Sequence, residues 1–180
     1  GALHFLHNRV VFLLRVYFRL TLRLDVTGMD KFPMHGPLIV ISNHTGQIEV
    51  PLLATLLQPR KITGWAKAES YENPFLRWVF GAWGIIPVHR GEYDRALFTK
   101  VISIIKSGYP LLVAPEGGRS HVPAMRRAMP GIAYIVEQTG VPVVPAAIVG
   151  TTEDFWQRAR RGEKPVPAPR PRKEVFDDVT

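Results

Sequence analysis

The sequence predicts an α/β fold, a single domain with a largely parallel or mixed central sheet flanked by helices. Short apolar runs rich in β-branched residues, which are typical of buried strands, alternate along the chain with longer segments of helical periodicity. Polar loops separate the two kinds of segment, and the sequence contains no internal repeat. In folds of this kind the loops at the carboxyl ends of the strands gather at one edge of the sheet and commonly carry the functional groups.

Each predicted element has its own signal. The predicted strands are the apolar runs at 24–27, 37–42, 61–66, 84–88, 111–114 and 143–149. The predicted helices are the periodic segments at 50–57, 73–80, 93–106 and 130–138. Pro51 is tolerated in the first turn of its helix, and Asn73 with Pro74 forms a start signal for the next helix. Residues 28–31 have the composition of a turn.

Composition excludes several classes of protein. The chain has 180 residues, of which 46% are hydrophobic, and this fits one globular domain with a core. It contains no cysteine, which excludes a disulfide framework, a thiolate metal site and a cysteine nucleophile. The histidines show no recognisable metal-ligand spacing, so no metal is predicted. A chain without cysteine is compatible with the cytoplasm.

Positive charge is concentrated at the two ends. The net charge is +8, with four arginines and no acidic residue in 1–24 and seven basic residues beside one acidic residue in 158–173. We therefore divide the chain into an N-terminal helix (1–24), a nearly neutral α/β domain (25–155) and a basic, proline-rich tail (156–180) that includes a candidate edge strand near its end. Basic flanks fit anionic lipid or nucleic acid, and charge alone does not separate the two.

The N-terminal helix has the pattern of a helix that lies in a membrane interface. No uncharged run approaches the ~20 residues that span a bilayer. Arg15, Arg19 and Arg23 fall along one helical face. The residues available for an apolar side include Val11, Phe12, Leu14, Phe18 and Leu22. The alternative is a long helix that faces the core and carries a solvated arginine stripe.

A histidine and a carboxylate five positions apart follow the 37–42 strand. Residues at this spacing on one helix point about 140° apart, so His44 and Glu49 converge only if His44 precedes the helix and Glu49 lies in its first turn. In that geometry Glu49 fixes the imidazole tautomer and leaves the other ring nitrogen free to take a proton. The alternative is a loop histidine near a glutamate that favours the helix dipole.

A second polar loop, 115–120, follows a buried strand. Gly117 and Gly118 allow the backbone to approach a ligand closely and to direct N–H groups at negative charge, and Arg119 can pair bidentately with a phosphate. Glycines alone would indicate only a tight turn. The presence of Glu116 and Arg119 in the same loop favours a functional site.

Four blocks of the sequence are similar to the motifs of one known family. They are His44–Glu49, Gly84–Arg90, Pro115–Ser120 and Val141–Pro145, and they occur in the family's order. One such block is a weak signal, but four with compatible spacing are specific. The chain therefore resembles the glycerolipid acyltransferase superfamily, especially the 1-acylglycerol-3-phosphate acyltransferases.

The resemblance implies a role for each residue that matches a motif. His44 would be the general base and Glu49 its partner; Arg90, Arg119 and Lys67 would bind the acceptor phosphate; Glu116, Gly117 and Gly118 would form the oxyanion or acceptor loop. Lys67 is also a candidate contact for the developing oxyanion. Acyl transfer of this kind needs no protein nucleophile, no metal and no cofactor.

The resemblance also implies the substrates. A fatty acyl group would move from acyl-CoA or acyl-carrier protein, the acyl thioester donor, to the hydroxyl of a lysophospholipid acceptor. Lysophosphatidic acid is the first candidate acceptor, with phosphatidic acid as the product, at a membrane lipid surface on the cytoplasmic face. No nucleic-acid partner is expected, because no base-reading module accompanies the basic ends.

Three departures from the family pattern keep alternatives open. Glu49 stands where the family usually has aspartate, and Gly118 stands where threonine is common. Residues 128–131 lack a lysine found in many members, and Arg126 or Arg127 is the candidate replacement. One alternative is a noncatalytic or decayed lipid-binding relative, and another is an acyl-thioester hydrolase.

Overall fold

Helices and strands alternate through the described part of the chain. The structure, a computed structural model, describes residues 2–46, 48–89, 94–120 and 125–151. The helices are α1 (Ala2–Thr21), α2 (Glu49–Leu56), α3 (Pro74–Trp83), α4 (Arg95–Lys106) and α5 (Pro130–Thr139). The strands are β1 (Ile39–Ser42), β2 (Thr63–Lys67), β3 (Ile86–Val88), β4 (Leu111–Val113) and β5 (Val143–Ala146).

The strands form one parallel sheet in the order β3-β2-β4-β1-β5. β1 lies in the interior of the sheet, where Val40 is in register with Leu112 of β4 and with Val144 of β5. Because all these strands run in the same direction, their carboxyl ends meet at one edge. The predicted α/β fold with a parallel sheet is confirmed, and the candidate edge strand in the tail lies outside the described residues.

The prediction of a strand at 24–27 is wrong. These residues lie in irregular backbone after α1, and the side chains of Leu24 and Val26 are exposed. An alternating apolar pattern yields a strand only where a neighbouring strand supplies hydrogen bonds and a core covers one face. Among the described residues, no strand pairs with this segment and no core covers Leu24 or Val26. The predicted turn follows it, with a short 3-10 helix at Met29–Lys31.

Side chains of the sheet alternate between two apolar layers. Leu38 and Val40 contribute to one layer, together with Leu53 and Leu57 at α2. Ile39 contributes to the opposite layer. The helical residues of that layer come from α4 and α5 and are Val101, Ile105, Ile132 and Ile135. Helices thus cover both faces of the sheet, which is usual for parallel strands.

Most of the predicted apolar side of α1 faces the protein, and Phe12 is the exception. Phe18 is buried against Ile48 and Leu52, and Leu14 and Leu22 pack against the same cluster. Fully burying one such aromatic side chain stabilises the fold by about 1.5–3 kcal/mol. The alternative of a helix that faces the core is therefore correct for this side of α1.

A second apolar side of α1 is exposed. Phe12 is 63% exposed and Leu20 is 74% exposed, whereas Val11 is buried. The exposed apolar members on this side are Phe12, Leu13, Val16, Tyr17 and Leu20. At 3.6 residues per turn they lie about 100–160° away from Phe18 around the helix. Within the described ranges, no helix has the length and apolar character needed to cross a bilayer.

Candidate active site

Three loops at the carboxyl edge of the sheet are joined by hydrogen bonds. Asn43, after β1, exchanges two bonds with Ile148, after β5: its Nδ2 donates to the Ile148 carbonyl at 2.8 Å, and the Ile148 N–H donates to its Oδ1 at 2.8 Å. The Ser120 N–H, in the loop after β4, donates to the His44 carbonyl at 2.7 Å. The loops after β4 and β5 therefore hold the backbone of the His44 loop from both sides.

His44 and Glu49 form a hydrogen-bonded pair. Nδ1 of His44 lies 2.7 Å from Oε2 of Glu49, and their side chains are 22% and 1% exposed. α2 begins at Glu49 and His44 precedes it, so the pair converges in the predicted way. In the described part of the chain, the Nε2 atom of His44 has no hydrogen-bond partner. A ring that donates from Nδ1 to a carboxylate carries its free lone pair on Nε2, where it can accept a proton.

Hydrogen-bond donors surround the Glu49 carboxylate. Thr45 donates to Oε1 through its N–H at 2.9 Å and through its hydroxyl at 2.7 Å. The Gly46 N–H and the Thr151 hydroxyl reach the same oxygen at 2.8 Å and 2.5 Å. Burial raises the pKa of Glu49, but the hydrogen bonds from His44, Thr151 and Thr45 outweigh burial and hold the pKa below its ordinary value. Glu49 therefore stays ionised beside His44.

Glu116 joins two loops through its side chain. Its Oε1 accepts from the His44 N–H at 2.9 Å, and its Oε2 accepts from the Arg126 N–H at 2.7 Å. The residue is only 3% exposed. Because both oxygens are engaged with backbone, Glu116 contributes to the predicted acceptor loop by positioning the chain around it.

Gly117 and Gly118 differ in whether their backbone N–H groups have an acceptor. The Gly117 N–H donates to the Ala114 carbonyl at 3.3 Å, and its φ of 65° favours glycine. A Cβ at Gly117 would lie 2.3 Å from Sδ of Met129. Among the described residues, by contrast, the Gly118 N–H has no acceptor. Gly117 thus makes the turn, and Gly118 keeps a backbone donor.

Two of the predicted phosphate ligands, Lys67 and Arg119, lie on the β3 side of His44. Lys67 ends β2, and its Nζ lies 3.9 Å from Oε1 of Glu69 with both side chains about half exposed. Arg119 is exposed and has no ion pair within the ranges that the structure covers. In the sheet β4 is next to β1, and β2 is the strand after β4. The loop of Arg119 is therefore one strand from that of His44, and Lys67 is two strands away, with neighbouring strands about 4.8 Å apart. Arg90 lies outside the described residues.

Four residues of the site were not predicted from the sequence: Asn43, Thr45, Gly46 and Thr151. The first three flank His44, so small and hydrogen-bonding residues around a candidate base are a signal that could have identified them. Gly46 has no room for a side chain, because a Cβ there would lie 2.2 Å from the Thr151 carbonyl oxygen. Thr151 is 102 residues from Glu49, and no local pattern marks it.

The parallel sheet and its histidine–carboxylate pair agree with a family comparison. The model of the family described as Acyltransferase matches residues 23–149, which is more than half of the chain and contains all four sequence blocks. The chain therefore belongs to the acyltransferase family. The resemblance inferred from the four blocks is confirmed.

Curated relatives carry more specific names. A chloroplastic 1-acyl-sn-glycerol-3-phosphate acyltransferase of Brassica napus is 27% identical over 130 residues, which are 71% of this chain and 37% of that protein. The 1-acyl-sn-glycerol-3-phosphate acyltransferase alpha of Homo sapiens is 26% identical over 152 residues, which are 83% of this chain and 53% of that protein. This chain thus spans about half, or less, of the length of these relatives.

One solved structure shares the fold. It is the crystal structure of the 1-acyl-sn-glycerophosphate acyltransferase PlsC from Thermotoga maritima, with a TM-score of 0.64 and 23% sequence identity. The match covers 80% of this chain and 57% of that one.

Proposed function

We propose that this chain catalyses the transfer of a fatty acyl group from acyl-CoA or acyl-carrier protein to the hydroxyl of lysophosphatidic acid, which gives phosphatidic acid. The observation that carries the proposal is the His44–Glu49 pair, whose Nε2 has no partner in the described part of the chain. Membership of the acyltransferase family supports the reaction class. The names of the curated relatives support the acceptor.

In the proposed reaction His44 is the catalytic base. Its Nε2 takes the proton of the acceptor hydroxyl while that oxygen attacks the thioester carbonyl, so a C–O bond forms and negative charge develops on the carbonyl oxygen. The Gly118 N–H is the backbone donor that we assign to this oxyanion. The intermediate collapses with loss of the C–S bond, and the imidazolium returns the proton to the leaving thiolate. Glu49 stays ionised and stabilises the imidazolium between the two steps.

The site argues against a decayed, noncatalytic relative. The extra methylene of Glu49 does not separate it from the base, because the carboxylate still meets Nδ1 of His44 at 2.7 Å. A buried carboxylate is costly unless its hydrogen bonds are satisfied, and here Thr45, Gly46 and Thr151 satisfy them. The arrangement that the proposed mechanism requires is therefore present although glutamate stands where aspartate is usual.

We assign the acceptor phosphate to Arg119, Lys67 and Arg90. Arg119 follows β4 and Lys67 ends β2, and these two strands lie in this order on one side of β1 in the sheet. Arg90 is included because it belongs to the second sequence block. A guanidinium matches phosphate oxygens bidentately, and Arg119 is exposed with no ion pair to a described carboxylate. The phosphate of lysophosphatidic acid is close to its reacting hydroxyl. Arg119, one strand from His44, is therefore the primary ligand in this proposal.

The proposed membrane contact is an outer apolar surface on α1 and α3. Its residues are Phe12, Leu13, Val16, Tyr17, Leu20, Phe75 and Trp78, each more than a third exposed. α1 packs beside α3, with the rings of His7 and Trp83 6.0 Å apart. Exposed apolar surface beside basic residues fits a lipid interface. We place the protein on the cytoplasmic face of that membrane, with the cysteine-free sequence as support.

A labelled-donor assay tests the proposed reaction. Labelled acyl-CoA and acyl-carrier protein are offered separately with lysophosphatidic acid, lysophosphatidylcholine, lysophosphatidylethanolamine or monoacylglycerol, and the label is traced to lipid or free acid. We expect label in phosphatidic acid. Label that appears mainly as free acid would instead make the protein a thioester hydrolase. No turnover of either donor would support the lipid-binding alternative.

Flotation with vesicles tests the membrane contact. We expect the double variant Phe12→Ser and Leu20→Ser to bind anionic vesicles at least tenfold more weakly, because about 1.5–3 kcal/mol of apolar burial is lost per side chain. The matched control is Tyr134→Ser, since Tyr134 is also exposed but lies on α5, which covers the other face of the sheet. Equal binding of the double variant and the control would exclude this surface.

A further inference from the structure

Thr151 contacts the catalytic pair although it lies beyond the last of the four sequence blocks. Its hydroxyl donates to Oε1 of Glu49 at 2.5 Å and lies 3.2 Å from the Thr45 hydroxyl. The residue is 5% exposed. Nothing in the sequence motifs assigns a role to this side chain.

The two oxygens of Glu49 have different partners. Oε1 accepts from Thr45, Gly46 and Thr151, whereas Oε2 faces Nδ1 of His44. Within the described residues Oε2 receives one further bond, from the Thr45 N–H at 3.0 Å. One oxygen is therefore the anchor and the other serves the base. The anchor bonds decide how the plane of the carboxylate is turned toward the imidazole.

The Thr151 hydroxyl is not needed to hold its loop in place. Asn43 and Ile148 already join the loops after β1 and β5 through two bonds of 2.8 Å. The backbone of Thr151 packs directly on Gly46, where a Cβ would approach its carbonyl oxygen to 2.2 Å. Loss of the hydroxyl alone should therefore leave the loops together and remove one donor from Glu49.

We propose that Thr151 is a positioning residue: its hydroxyl fixes Oε1 of Glu49 so that Oε2 holds the Nδ1–H tautomer of His44. The proposal rests on the proposed function, in which His44 is the base. It also assigns a reason for the glutamate at position 49. An aspartate is shorter by one C–C bond of about 1.5 Å, so its carboxylate could not reach both the Thr151 hydroxyl and Nδ1 from the same backbone.

The experiment reads the tautomer of His44 directly. ¹⁵N NMR spectra of ring-labelled histidine are recorded at a pH high enough to keep the imidazole rings neutral. The samples are the wild-type chain, Thr151→Val and Thr151→Ser, and His44→Gln serves to assign the His44 signal. We expect wild-type His44 to carry its proton on Nδ1, and the Val variant to show a measurable Nε2–H population. The Ser variant should restore the wild-type spectrum. Thr139→Val is the matched control, because Thr139 bonds only carbonyls within α5.

Kinetics supply the second reading. If the wild-type chain transfers acyl groups, Thr151→Val should lower kcat about tenfold with little change in KM, since a misplaced base slows the chemical step rather than binding. Should the Val variant fail to fold, Thr151→Ala decides, because it also lacks the hydroxyl and adds no volume.

Two results would overturn the proposal. One is an unchanged Nδ1–H spectrum in the variant that lacks the hydroxyl. The other is a Ser variant as altered as the Val variant, which would mean that the methyl group and its packing matter instead. The tautomer is read without substrate, so the failure of Thr151 as a positioning residue remains distinct from the failure of the proposed reaction.

Discussion

Two sets of charged side chains at the carboxyl edge of the sheet are held in opposite ways. Glu49 and Glu116 are 1% and 3% exposed, and all four of their carboxylate oxygens accept hydrogen bonds. Lys67 and Arg119 are exposed, and the pair of Lys67 with Glu69 is loose at 3.9 Å. The carboxylates are therefore part of the fold, whereas the cations are exposed to solvent, where the proposed function assigns them to the acceptor phosphate. Changes to the first set should affect every substrate, and changes to the second only substrates that carry phosphate.

The largest expected effect is that of His44→Ala. Removal of a general base lowers turnover by about 10²–10⁴-fold. The loss should be the same for every acceptor, because the base acts on the hydroxyl and not on the head group. Initial rates with saturating donor measure it, and the denaturation midpoint checks that the fold is intact. Turnover within a few fold of wild type would remove His44 from the mechanism.

Arg119→Ala should discriminate among acceptors. Loss of one charge-assisted contact costs about 1.5–3 kcal/mol, or roughly 10- to 150-fold in kcat/KM for lysophosphatidic acid. Thioester hydrolysis without acceptor, and transfer to monoacylglycerol, should change little. Lys106→Ala is the control. Lys106 is exposed and ends α4, just before the start of β4, so it lies at the edge of the sheet opposite to the site. A uniform loss across all acceptors, together with lower thermal stability, would make Arg119 structural.

Glu49→Gln tests the buried set through stability. Because the folded-state pKa of Glu49 is lowered, the ionised carboxylate stabilises the protein above its unfolded pKa of about 4.3, and this contribution is lost as the pH falls through the lower folded pKa. At pH 7 the variant should be less stable by about 1–3 kcal/mol. In urea titrations from pH 7 to pH 3 the gap between variant and wild type should close at the acidic end. A gap that is constant with pH would show that charge is not involved.

Lys67→Ala should give the smallest effect. Lys67 is two strands from His44 and lies near the carboxylate of Glu69. We therefore expect kcat/KM for lysophosphatidic acid to fall about two- to fivefold, which corresponds to the free energy of a surface ion pair. Glu69→Ala is the companion variant and should leave activity equal or slightly higher. If Lys67→Ala costs more than Arg119→Ala, the order of the phosphate ligands proposed along the edge is reversed.

Local patterns in the sequence predicted most of the fold and the convergence of His44 with Glu49. The strands and helices that pack on the core were predicted correctly, because the spacing of apolar residues reflects which face of an element is buried. The spacing of His44 and Glu49 was sufficient, since both belong to one loop and helix start. The pattern misled where burial was missing, at 24–27. For α1 both interpretations had to stay open, because the helix has two apolar sides and a sequence cannot show which of them meets the protein.

The remaining parts of the site depend on contacts that leave no mark on the sequence. Glu116 binds backbone N–H groups, and every residue type except proline supplies one. Thr151 reaches Glu49 only because β5 pairs with β1, although the two strands are far apart in the chain. Arg119 was identified through its motif, and its exposure could not be inferred from that motif alone.

The interior position of β1 has a consequence for the order of events during folding. Its neighbours β4 and β5 are separated from it in the chain by three or more intervening elements. The His44 loop therefore cannot take its final form until the last strand has docked, and such nonlocal pairings form late because a long loop must first close. A growing chain that ends after α5 would contain most of the core residues, but its His44 loop would be incomplete. The contacts of the His44 loop with Ile148 and Thr151 should thus form abruptly, with the arrival of residues 143–151, rather than in proportion to the length already synthesised.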